Sequence, residues 1–197
     1  MEISTIKKAF YLLVGIGFCC TLQAAEPQKN VTDNYPNNRY PLLRKPLIEL
    51  PLGSIKPKGW LHEMLIRQKN GASGQMDTLY PLVMGKRNGW LGGDGDQWER
   101  GPYWIDGLLP LAYILDDEAL KAKVQPWIEW TLQSQREDGF FGPEKDYPGE
   151  PGLQRDNSHD WWPRMVMLKI LQQYYSATND ERVITFMTKY FRYQLNT

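Results

Sequence analysis

The sequence predicts an all-α protein in which helical hairpins stack side by side behind an extended N-terminal arm. The first observation behind this is an internal repeat. Asp117 and Asp180 lie 63 positions apart, and at that offset Glu118 meets Glu181, Leu120 meets Val183 and Val124 meets Met187. Trp127 then falls on Tyr190, Ile128 on Phe191, Trp130 on Tyr193 and Leu132 on Leu195. Apolar positions match because each unit buries the same helix face, and units of this size cannot bury that face alone. The second observation is that each unit joins a helix apolar nearly all round to an amphipathic one. The first kind belongs inside and the second outside, as in a toroid or solenoid of hairpins. The third is that both inner helices follow a loop loaded with carboxylates and tryptophan, which the repeat carries to one end of the stack.

The elements follow in order. Lys7 and Lys8 precede an apolar run from Ala9 to Cys20, and Ala24-Ala25 offers a small-residue cleavage site before Glu26. Residues 1–25 therefore read as a secretory signal peptide, too short in its apolar run for a membrane span, and the protein is expected to be secreted or periplasmic. Phe18 before Cys19 does not suit a lipoprotein, which needs a small residue there. Both cysteines leave with the leader, so no disulfide, thiol nucleophile or cysteine metal site is expected after it. Charge is balanced, 23 basic against 23 acidic residues, and removing Lys7, Lys8 and Glu2 leaves −1. That gives no electrostatic footprint for nucleic acid or an anionic bilayer.

Residues 26–45 are polar, proline-bearing and without periodicity, an extended or disordered arm. The helical part is expected over residues 46–197. Leu50 to Ile55 reads as one short edge strand, and the first helix begins near Pro57. Trp60, Leu61, Met64 and Leu65 mark its buried stripe, and Gly71 ends it. Residues 71–103 are glycine-punctuated, with one short helix expected around Asp77 to Met84. The inner helices are expected at 104–115 and 163–177, and the outer ones at 117–135 and from Asp180 towards Leu195. Asp116 or Asp117 caps the first outer helix and Asp180 the second, and Pro126 should kink or break the first of them.

Loop 92–103 carries Asp94, Asp96, Trp98 and Glu99, and loop 138–162 carries Asp156, His159, Asp160, Trp161 and Trp162. These nine are the candidate substrate-binding residues. Carboxylates accept hydrogen bonds from hydroxyls while indole faces stack on the C–H faces of sugar rings, so the composition is that of a glycan cleft. Hydrolysing a glycosidic bond takes two carboxyls, one acid and one base or nucleophile, and these candidates include five. No catalytic pair is singled out. Structural roles compete: the acids can cap helices or pair with Arg100, Arg155 and Arg164, tryptophans can be core, and His159 can sit in an ordinary hydrogen bond rather than act with Asp160. The run from Gly92 to Gly101 lacks the Gly-Lys-Ser/Thr ending of a phosphate loop and the ligand spacing of a calcium loop.

The run Gln97-Trp98-Glu99-Arg100-Gly101-Pro102-Tyr103-Trp104-Ile105-Asp106-Gly107, with Leu111-Ala112-Tyr113 after it, resembles glycoside hydrolase family 127. So do Asp160-Trp161-Trp162-Pro163-Arg164-Met165 and Tyr190-Phe191-Arg192-Tyr193-Gln194. The resemblance, to the β-L-arabinofuranosidase-like family over roughly residues 45 to 197, implies an (α/α)6 toroid, here incomplete. It implies a glycan or oligosaccharide as partner, and a cysteine nucleophile, glutamate acid/base and cysteine-held zinc that have no counterparts in this sequence. The cofactor expectation is accordingly none in this chain, with zinc left to a longer parent. A full toroid takes on the order of 350 residues, so the chain reads as the N-terminal part of a longer enzyme, inactive alone. Two alternatives stand beside that reading: a carboxylate-only glycosidase or uronyl hydrolase of the same architecture, and a non-catalytic glycan-binding remnant.

Overall fold

In the computed structural model, residues 37–144 and 161–196 are described. Residues up to Ile48 form one unit and those from Glu49 another. In the first, the Asn37 side chain closes a turn: its Oδ1 accepts from the Lys45 amide at 2.9 Å while its Nδ2 donates to the Lys45 carbonyl at 3.1 Å.

The second unit is helical, and no strand occurs among the described residues. Helix α1 spans Trp60–Asn70, α2 Ala72–Leu79 and α3 Pro81–Met84. A 3₁₀ turn at Gly89–Leu91 leads into the glycine loop. Two hairpins follow: α4 Arg100–Leu115 with α5 Glu118–Gln133, and α6 Trp161–Thr178 with α7 Arg182–Leu195.

The 63-residue repeat appears as matching geometry. Asp116 and Asn179, one period apart, both adopt the left-handed conformation at φ 56° that ends each inner helix. Asp and Asn are the non-glycine residues that tolerate it. One residue later come the two caps: Asp117 Oδ1 accepts from the Leu120 amide at 3.0 Å, and Asp180 Oδ1 from the Arg182 amide at 3.0 Å. The inner helices lie parallel and in register. Lys169 donates to Asp106 at 2.8 Å, again across one period, and further along Tyr113 meets Tyr174 edge-on at 6.5 Å. The outer helices are tied likewise, Arg182 to Glu129 and Gln135 to the Phe186 carbonyl. Ile105, Leu108, Leu109, Ile128, Met167, Ile170 and Tyr190 fill the space between. Aromatic edges lock it, Trp104 on Trp127 at 5.9 Å and Phe141 on Phe186 and Tyr190 at 4.8 Å.

Four expectations are corrected. Residues 50–55 do not form a strand, because they cross helix ends instead of meeting a partner strand. The Leu52 amide donates to Ser176 Oγ, and Lys56 Nζ to the last-turn carbonyl of Tyr113. The α1 stripe is not buried: Trp60 is 70% exposed, and Leu61 and Met64 are also open, with Leu65 alone of the four packing against the core. A periodic pattern marks an apolar face without saying what covers it. Helix α5 runs unbroken through Pro126. Leu120, Val124, Trp127 and Ile128 are buried on both sides of that position, and this packing outweighs one missing backbone bond. Likewise α4 starts four residues before the expected Trp104, since Pro102 needs no amide donor in a first turn.

Arg164 is buried at the start of α6, donating to the Phe141 and Pro143 carbonyls at 2.8 and 2.9 Å with its guanidinium over the Phe140 ring. On the outer side Arg182 hydrogen-bonds both Glu129 and Asp180, which holds these carboxyls below the ordinary carboxylate range. Asp117 is lowered too, by Lys69 of α1 and then by the Leu120 amide. Depressed folded-state values mean stability that is full above the unfolded pKa and lost as pH falls through the folded one. Thermal melts should therefore show a transition temperature that declines from about pH 4 downwards. Arg182→Met should lower it at pH 7 and flatten that decline; an unchanged slope would show that Arg182 does not couple the hairpins.

Candidate functional site

The glycine loop before α4 is built inward from two buried side chains. Asn88 and Trp90 are both fully buried. Asn88 Oδ1 accepts from the Trp90 amide at 2.8 Å, and its Nδ2 donates to the Val83 carbonyl at 2.6 Å. Trp90 Nε1 in turn donates to the carbonyls of Gln97 and Trp98, each at 3.1 Å. The loop from 92 to 99 is thus folded over an indole whose ring meets Trp130 and Phe141 edge-on. Gly92, at φ +78°, is needed for a second reason: a Cβ there would lie 2.5 Å from Trp130 Nε1. Gly101 lets α4 approach α5, for its Cβ would meet the Trp127 ring at 2.7 Å.

This scaffold sorts the acidic candidates. Asp94 is exposed and held by Arg87 in a two-pronged pair, Nε–Oδ1 2.8 Å and Nη2–Oδ2 3.0 Å. Asp96 is largely buried and accepts from Arg100 Nε through Oδ2 at 2.9 Å, while its Oδ1 has no hydrogen-bond partner among the described residues. The hydrogen bond that Arg100 donates to Asp96 raises the Arg100 pKa above its ordinary value. Asp94, Asp96, Trp98 and Arg100 share a cleft of about 270 Å³. Glu99 faces the other way and accepts from Trp162 Nε1, so the end of the first loop touches the end of the second. Trp161 and Trp162 are both about half exposed. Asp156, His159 and Asp160 lie outside the described residues.

Two further clefts adjoin the Glu99–Trp162 contact. One, of about 500 Å³, is bounded by Glu99, Arg100, Tyr103, Trp104 and Gly107 of the α4 end. The other, of about 290 Å³, lies between the inner helices and is bounded by Tyr103, Asp106, Trp162, Met165 and Lys169. Asp106 accepts from Lys169 at 2.8 Å and from Gln173 Nε2 at 2.9 Å. The geometry therefore brings Glu99 and Trp162 together and leaves Asp94 with its own arginine. Tyr103, Arg100, Asp106 and Lys169 were absent from the sequence-based candidate set. A signal for them existed: Asp106 and Lys169 stand one repeat apart, the separation of Glu99 and Trp162. Charged residues at matched positions of parallel inner helices must face one another.

Such a rim offers carboxylate acceptors, ammonium and guanidinium donors, and exposed aromatic faces within two adjoining hollows. Polyhydroxylated rings have this combination of needs, hydroxyls at the edge and C–H groups on the face. Among the described residues no three His, Cys, Asp or Glu side chains converge as a metal site would require. No helix among them is long and apolar enough to cross a membrane.

Comparison with known families gives one match: the model of the β-L-arabinofuranosidase, GH127 catalytic domain covers residues 50–197. No curated protein and no solved structure matches.

The loop's dependence on Asn88 is open to test. Asn88→Ala would orphan a buried amide and a buried carbonyl, and should lower unfolding free energy in urea by about 1–3 kcal/mol. A loss under about 0.5 kcal/mol would mean that the loop is not held this way.

Proposed function

Because the chain belongs to the β-L-arabinofuranosidase GH127 catalytic-domain family, we propose that it supplies the substrate-contacting rim of a secreted glycoside hydrolase. Its ligand is an oligosaccharide, held without being hydrolysed by this chain alone. One observation carries the reading: the hydrogen bond between Glu99 and Trp162, which ties the end of the first acid- and tryptophan-bearing loop to the start of α6. Family membership supports a glycoside hydrolase-like role; the substrate contacts and the division of labour are our inference.

The described groups suit holding better than proton transfer. Asp94 is neutralised by Arg87, Asp96 by Arg100, and Glu99 is oriented by an indole N–H. A general acid and its partner need carboxyls facing one bond from two sides, separated by roughly 5–10 Å according to stereochemistry. The zinc and cysteine nucleophile that the family resemblance implies have no donor set among the described residues, which contain no cysteine and no three His, Asp or Glu side chains placed to hold a metal. The residues present do not fit that group, and the role proposed here uses none of it. What remains is binding, orientation and exclusion of water from one flank of a sugar.

Export completes the proposal, since residues 1–25 carry the signal described above. Expressed in a secretion-competent bacterial host, the protein should be recovered outside the cytoplasm with Glu26 as its first residue. Retention with Met1 in place would refute export. Isothermal titration against methyl arabinofuranoside and arabinofuranosyl oligosaccharides should give binding that weakens about tenfold in Trp162→Phe, which keeps a stacking face but loses the bond to Glu99. The same protein should release no arabinose from a synthetic arabinofuranoside. Steady release would overturn the division of labour, and unaltered affinity in the variant would remove Trp162 from the site.

A further inference from the structure

We propose that the protein associates head to tail with a second copy of itself, the open stripe of α7 on one copy docking against the open stripe of α1 on the next. The inference does not depend on the glycan-binding reading above.

Two residues of α5 mark the direction in which the helical units stack. Lys123 Nζ donates to Asp77 of α2 at 2.8 Å, whereas Gln125 Nε2 donates to the Tyr174 hydroxyl of α6 at 3.2 Å. Positions two apart point to opposite sides of a helix. Helices α1–α3 therefore stand behind the first hairpin, and the second hairpin stands in front of it. The front face of α5 is Gln125, Ile128, Glu129 and Leu132. Ile128 is fully buried there, Leu132 packs against the core and Glu129 is bonded to Arg182. One repeat later the same positions are Thr188, Phe191, Arg192 and Leu195. On α7 that face is open: Phe191 is 47% and Leu195 85% exposed, and Ile184, one turn before Thr188, is exposed as well.

A stack of such units ordinarily ends in a polar outer face. Among the described residues both ends of this one keep large apolar side chains outward: Ile184, Phe191 and Leu195 in front, and Trp60, Leu61 and Met64 of α1 behind. What fits the front is the back of another helical unit, since that is what covers the same face of α5. The back of the second hairpin does not qualify, for α5 already covers it and it presents Arg182. Arg192 stands on α7 where Glu129 stands on α5, so an arginine opposite would be repelled. The back at α1 offers Glu63 instead, its side chain 68% exposed beside the apolar stripe. Two unlike surfaces on one chain make a heterologous contact, which closes into a ring or runs on from copy to copy according to the angle between them.

Sedimentation velocity of the full chain over about 1–100 μM should show monomer giving way to dimer or larger species as concentration rises. Phe191→Asp spoils the front and Trp60→Asp the back. Both positions are exposed, so far-UV circular dichroism should be unchanged, and Leu195→Asp serves as a second front variant. Each variant alone should associate at least about tenfold more weakly than the original chain. Mixed in equal amounts, the Phe191→Asp and Trp60→Asp chains should recover a one-to-one pair, because the first keeps its back and the second its front. A monomer at every concentration overturns the proposal. So does association that survives Trp60→Asp, which would mean front-to-front pairing, or Phe191→Asp, which would mean back-to-back pairing. A mixture that associates no better than its components overturns it too. None of these outcomes bears on glycan binding.

Discussion

Parallel inner helices held in one register are the constraint on which the rest of this structure depends. Once α4 and α6 run side by side a whole repeat apart, their N-termini share a level. Lys169 on Asp106 and Trp162 on Glu99 are the cross-links of that register. The core beneath them is apolar and non-directional, and by itself would tolerate some sliding. Hydrogen bonds with fixed partners, together with edge-on rings, leave little room for it.

The glycine loop shows how an irregular segment can be as firmly placed as a helix. Its backbone is held by one amide side chain and one indole, both out of water, together with backbone bonds such as those from the Gly93 and Gly95 amides to the Asn88 and Arg87 carbonyls, so its polar groups have partners without a ladder. The charges that remain on its surface are arranged in pairs within a few residues. Glu99, the last residue before α4, reaches the neighbouring hairpin at Trp162. A site at the mouth of a hairpin stack is thereby set by packing far below it.

Much of this was legible in the sequence, and the reasons are physical. The repeat could be read because α5 and α7 bury equivalent faces. The turns could be read because Asp116-Asp117 and Asn179-Asp180 combine a residue that tolerates positive φ with a cap. The continuity of α5 through Pro126 was not legible, because local propensity argues against it and only burial on both sides decides. The fate of the α1 stripe was hidden for the converse reason, since amphipathicity is a property of one helix and burial of two. Pairing of Asp94 with Arg87 and Asp96 with Arg100 depends on how a glycine loop folds back, which composition does not encode. Tyr103 escaped notice because the expected helix began one residue after it; α4 starts at Arg100 instead and carries Tyr103 on a side that packing leaves open.

Arg164 has an effect beyond its own neighbourhood. By gripping the carbonyls of Phe141 and Pro143 from the first turn of α6, it brings the departure point of one hairpin and the arrival point of the next to a single anchor. Whatever sequence connects them starts and finishes at that anchor, so its length hardly matters to the fold. Doubling such a connection costs only about 0.6 kcal/mol in closure entropy. Descendants of an ancestral gene could therefore lengthen, shorten or rewrite this stretch while inheriting the helices untouched.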